Sequence, residues 1–121
     1  MAQYVPPGWP AGVRPPGADE WEATAVAWLL DLVPEYRQYM MVSRHPVILA
    51  SIARHLMHGT VEGTREGYRT VRTELGEHAS PHAVDAALKA YRAEGRRLAA
   101  IERAVALVEQ ALRGGTFKPS L

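Results

Sequence analysis

The amino-acid sequence predicts an all-α protein: a long antiparallel helical hairpin, a shorter helix ahead of it, and a proline-rich N-terminal arm. Three observations predict this. Five of the nine prolines fall in the first seventeen residues, and none lies between Pro46 and Pro81 or between Pro81 and Pro119. Within those two proline-free runs apolar residues recur at spacings of three and four, the period of an amphipathic helix. The runs are also complementary: folded back near residue 79, they bring apolar positions together where residue numbers add to about 159, as in a tight helical hairpin. A chain of 121 residues, 47% apolar and 22% charged, suits one domain.

Residues 1–18 form the arm. Pro6, Pro7, Pro10, Pro15 and Pro16 fix φ and remove backbone donors, which disfavours helix and sheet alike. Tyr4, Val5, Trp9 and Val13 are costly to leave in water, so Trp9 is expected to dock on the helical body or on a partner. Residues 19–115 are expected to form one helical domain. Its first helix spans about 19–33, with Asp19 as N-cap, Glu22 completing a capping box, and Glu20 and Glu22 complementing the helix dipole. Trp21, Ala25, Trp28, Leu29 and Leu32 make its apolar face, and Pro34 stops it. The link PEYRQYMMVSRH (34–45) reads as a short turn pressed onto the core by Tyr36, Tyr39, Met40, Met41 and Val42. A helix at about 46–78 opens on Pro46, capped by Ser43 or His45. A third, at about 81–113, opens on Ser80-Pro81 and stops at Gly114-Gly115. Each long helix would run on the order of 50 Å. A tail, TFKPSL (116–121), follows.

The register pairs Leu75 with Val84, Val71 with Leu88, Tyr68 with Tyr91 and Val61 with Leu98. Further out it pairs Ile52 with Val108 and Ile48 with Leu112. Val84, Leu88, Tyr91, Gly95 and Leu98 carry coiled-coil spacing, which slips by a three-residue step between Leu98 and Ile101. Gly59, Gly63 and Gly67 form one stripe on the second helix, with Gly95 opposite Gly63. A mid-helix glycine costs about 1 kcal/mol relative to alanine. Either the helix breaks over 59–67, or close backbone approach offsets that loss.

Chemistry is constrained mainly by what is missing. With no cysteine, disulfide scaffolds, thiol nucleophiles, zinc–cysteine sites and cysteine-held clusters are excluded. There is no P-loop, no GxGxxG and no GxSxG, and Ser43, Ser51, Ser80 and Ser120 show no arrangement that would activate a nucleophile. No catalytic residue and no cofactor is assigned, and the chain reads as a non-enzyme. A formal net charge of +1 argues against a general polyanion binder.

Three constellations remain. His55, His58 and Glu62 can share a helix face and make a weak candidate for a metal or small-ligand site; a solvated polar face is the plainer reading. Arg65, Arg69 and Arg72 form one stripe and Arg92, Arg96 and Arg103 another, together a ridge suited to nucleic-acid phosphates. Glu62, Glu66, Glu74, Glu94 and Glu102 are spaced to pair with many of these, and no aromatic is interleaved for base stacking. The broadest expectation is a protein-interaction or regulatory module. Trp9, Trp21, Trp28, Met40, Met57 and Val61 exceed what one hairpin seam needs, so either the first helix and the arm cover them or a second copy does, completing a four-helix homodimer. Phe117 and Leu121 in the tail are further handles for another protein.

The segments VPPGWP (5–10), AWLLDLVPEYR (27–37) and RHPVILA (44–50) resemble those of small, functionally uncharacterised helical proteins from high-GC actinobacteria. That resemblance implies a bacterial, cytoplasmic setting and carries over no activity or ligand. Twelve Arg against two Lys fits the codon usage of such a host. No basic n-region precedes an apolar run in residues 1–10, and the most apolar stretch, 23–33, is too short to cross a bilayer. A cytoplasmic protein without a membrane segment is expected.

Overall fold

Local chemistry decides where each helix starts and stops. A computed structural model describes residues 2–120 and contains only helices and irregular segments among them. The arm enters through tight turns, Ala18 N–H donating to the Pro15 carbonyl and Trp21 N–H to that of Ala18. Helix α1 spans Trp21–Leu32, inside the expected 19–33. Asp19 does not cap it. Glu20 takes the junction in a left-handed conformation (φ 62°) with no side-chain cap. Asp19 is thereby one residue too far out, and Glu22 moves to a position from which no capping box closes. Pro34 ends the helix as expected, and the link resolves into a 3₁₀ turn, Pro34–Gln38, and the short α2, Met40–Ser43.

Helix α3 spans Pro46–Leu75. The His45 carbonyl accepts its first helical hydrogen bond, from Leu49 N–H (3.0 Å). The Ser43 hydroxyl turns back to the Met40 carbonyl instead of capping. The helix runs unbroken through 59–67, so the glycine stripe does not interrupt it. It ends at Leu75 rather than 78, because Gly76 lets the chain close against the Arg72 carbonyl, where a Cβ would collide. Helix α4 spans Pro81–Leu112. Ser80 Oγ accepts from Ala83 N–H (3.1 Å), the predicted cap. At the other end Gly114 lies at φ +92°; its N–H reaches the Ala111 carbonyl and that of Gly115 the Gln110 carbonyl. These two bonds make a complete Schellman stop.

Contacts within the chain fall into two units. The first takes the residues up to His55 with those from Arg103 onward, the second Leu56–Glu102. In the first, Leu29, Leu49, Val105 and Val108 are fully buried, with Ala25, Val33, Ala50 and Ala53 also in the core. The arm belongs to this unit, with Val13 and Pro16 buried. Trp9 donates its ring N–H to the Val13 carbonyl (2.8 Å) and packs 5.9 Å from Trp21 and 6.0 Å from Phe117 between centroids. Arg14 N–H reaches the Thr24 hydroxyl on α1 (3.0 Å). Ile48 does not join the seam with Leu112; it is 48% exposed. The buried face here is Leu49, Ala50 and Ala53, centred about 150° further round the helix.

In the second unit, Val71, Val84 and Leu88 form one cluster, with Ala79, Ala87 and Tyr91 packed on it; Val61 and Leu98 are also buried. The antiparallel register holds near its predicted value: Arg92 bonds Tyr68, His58 bonds Glu102, and Gly95 sits beside Thr64. Leu75, at the end of α3, is left 46% exposed, while Val71 and Leu88 pack with Val84 in the buried cluster. The close approach of Gly63 to Gly95 does not occur. A Cβ on Gly59 or Gly63 would meet nothing within 4 Å, and one on Gly95 would touch Thr64 Cγ2 at an ordinary 3.7 Å. Of these four, only Gly67 has a side chain close against it, the Tyr91 ring, which would have to move to admit a Cβ.

Candidate arginine–tyrosine cleft

Within the second unit, Arg65 and Arg69 from α3 and Arg92 and Arg96 from α4 border an open cleft of about 490 Å³ together with Tyr68 and Tyr91. Its apolar floor includes Val61 and Ala99, and Gly95 contributes no side chain. The four guanidinium groups are not equivalent. Arg65 Nη1 lies 2.8 Å from Glu62 Oε1, and Arg69 pairs with Glu66. Arg92 instead donates from Nη2 to the Tyr68 hydroxyl (2.7 Å), its guanidinium carbon 5.6 Å from the centroid of the Tyr68 ring. Neither Arg92 nor Arg96 makes an ion pair among the described residues.

The predicted arginine ridge is therefore divided. Arg72 stands 4.0 Å from Asp85 and borders a separate shallow depression near the turn. Arg103 belongs to the other unit. The expectation that no aromatic is interleaved with the arginines is overturned, because Tyr68 and Tyr91 both stand among them. A signal existed: Tyr68 follows Arg65 by three and so shares its helix face, and Tyr91 falls opposite by the hairpin register.

The histidine constellation does not assemble. His58 Nδ1 lies 3.2 Å from Glu102 Oε2, Glu62 serves Arg65, and His55 is exposed. Among the described residues, no three histidine or carboxylate side chains are placed to hold a metal ion.

Of the apolar candidates, Met57 and Val61 are buried in the second unit. Trp9 and Trp21 pack on each other, and Trp28 is half-buried beside Gly12. Met40 is 60% exposed and Met41 68%, and Tyr39 and Ile48 are exposed too. Phe117 packs on Trp9; Leu121 lies outside the described residues.

One charged side chain is buried in the first unit. Glu109 takes Arg54 Nε on one oxygen and Arg113 on the other, at 2.9 Å. Burial pushes its carboxyl up, but the hydrogen bonds and charges of Arg113 and Arg54 together outweigh that and hold it below the ordinary value.

Among the described residues no helix is long and apolar enough to cross a membrane. No known protein family, curated protein or solved structure matches the chain.

Proposed function

We propose that the protein is a non-enzymatic helical interaction module that forms homodimers through the Tyr39–Ile48 surface of its first unit. One observation carries the reading: four large apolar side chains within residues 39–48 stand open to solvent. Burying a side chain of this kind is worth about 1.5–3 kcal/mol. Tyrosine and methionine are enriched where protein surfaces meet, and exposed apolar patches mark such surfaces. The tryptophans, Met57 and Val61 are engaged within the chain, which leaves this role to Met40 and its neighbours. The arginine-rich composition and the resemblance of three segments support a setting in the cytoplasm of a high-GC bacterium.

Light scattering tests the proposal. The expected result is a mass of twice 13.3 kDa that falls to the single-chain value in the double variant Met40→Lys, Met41→Glu, with helical circular dichroism unchanged. A monomer at the highest soluble concentration refutes it. A second reading, a nucleic-acid-associated protein, is favoured by Arg92 and Arg96, which make no ion pair among the described residues. Anisotropy of a labelled DNA duplex that stays flat at low salt would dispose of it.

A further inference from the structure

We propose that the cleft between α3 and α4 in the second unit binds a nucleotide, with its phosphate on Arg92 and Arg96 and its base against the tyrosines. This is independent of self-association and rests on four observations.

The first is how charge is distributed. Arg65, Arg69 and Arg97 each pair with a carboxylate three residues away, whereas Arg92 is held by a hydroxyl and a ring face. A neutral partner fixes the guanidinium fork without cancelling its charge, so less ordering remains for a ligand to impose. Arg96 follows Arg92 by four and faces the same way, so both forks can reach one phosphate.

The second is the lining. Among the described residues no carboxylate borders the cleft, so nothing in that wall repels an anion. Tyr68, Tyr91, Val61 and Ala99 add flat and apolar surface that a bare inorganic ion would not use. Stacking of a base on an aromatic side chain is worth about 1–3 kcal/mol.

The third concerns glycine. Gly67 admits the Tyr91 ring, and Gly95 leaves the floor open although a Cβ would fit there at ordinary contact distance. A mid-helix glycine costs about 1 kcal/mol, and packing does not require this one. Its effect is to preserve volume in the cleft.

The fourth is extent. About 490 Å³ lies in the range of small-ligand sites, roughly 300–1,000 Å³. Beyond the cleft, the neighbouring arginines Arg72 and Arg97 lie against Asp85 and Glu94, so no continuous basic track is laid for the backbone of a strand. A free mononucleotide is therefore the ligand.

The test titrates the full chain with AMP, GMP, CMP and UMP by calorimetry. Adenosine, inorganic phosphate and a labelled single-stranded oligo(dT) serve as separate arms. Saturable binding of at least one monophosphate is expected, weaker by roughly tenfold or more when either the phosphate or the base is absent. Arg92→Gln with Arg96→Gln should cost roughly tenfold or more, and Gly95→Leu should occlude the site. Arg97→Gln, which removes one positive charge outside the cleft, should leave affinity unchanged. Circular dichroism of each variant reports its fold, and glutamine keeps the helix propensity of arginine. The proposal is overturned if no monophosphate saturates, if binding survives the double arginine variant with its helicity intact, if phosphate alone binds equally well, or if only the single strand binds.

Discussion

Glu109 shows how a single residue sets a pH limit. It is buried, and its two partners are not: the Arg54 and Arg113 side chains are 40% and 59% exposed. Removing one partner of a deeply buried pair costs 3–5 kcal/mol, whereas exposed pairs contribute about 0–1. Solvent around the two arginines places this cluster between those limits, and Glu109→Gln should cost about 1–2 kcal/mol at neutral pH. The sign of the pH dependence follows from the lowered carboxyl. The ionised form is favoured in the folded chain, so its contribution is complete above the ordinary value of 4.5 and is lost as pH falls through the lower folded value. Urea unfolding of both proteins at neutral and acid pH should show the stability gap closing below that range. A gap that persists or widens in acid would mean that ionised Glu109 is not what Arg54 and Arg113 stabilise.

At the scale of the element, α3 makes a prediction opposite to that of sequence spacing alone. Gly59, Gly63 and Gly67 form one stripe, yet only Gly67 has a neighbour where a side chain would go. Gly59→Ala and Gly63→Ala should therefore each stabilise the protein by about 1 kcal/mol. Gly67→Ala should gain less or lose, because the Tyr91 ring must move. Repeating Gly67→Ala on a Tyr91→Ala background should recover the full gain, a coupling that a double-mutant cycle measures. Equal gains at all three positions would show that Tyr91 does not rest on Gly67. The stops of α1 and α4, the start of α4 and the hairpin register were legible in the sequence because single residues or regular spacings dictate them: Pro34, Gly114 at positive φ, and the Ser80 hydroxyl before Pro81. The start of α1 was not, since the left-handed turn at Glu20 displaces an otherwise good cap at Asp19. Ile48 was misplaced because the rotation of α3 is set by which face the first unit buries. Tyr68 and Tyr91 were missed as partners of the arginines because they meet them only once register and helix face are combined.

Across the whole molecule, burial is uneven. The four large side chains that are completely buried, Leu29, Leu49, Val105 and Val108, all belong to the first unit. In the second, the buried residues Met57, Val61, Val71, Val84, Leu88 and Leu98 retain 4–9% exposure. Local opening requires less free energy where fewer apolar contacts are lost. Hydrogen exchange should therefore find the slowest amides of α3 at 49–55 and of α4 at 103–112, with lower protection at 56–75 and 81–102. Each tenfold difference in exchange corresponds to about 1.4 kcal/mol of opening free energy. Uniform protection along both helices would mean that the two units open as one. The same experiment reports on the cleft. A nucleotide that binds only the closed second unit adds about 2.7 kcal/mol to its opening at a hundredfold excess over Kd, slowing exchange at 56–75 and 81–102. Opening of the first unit alone does not pass through the ligand-bound surface, so protection at 49–55 and 103–112 should stay as it was. Slowing spread equally over both units would place the ligand elsewhere or join the two in one cooperative transition.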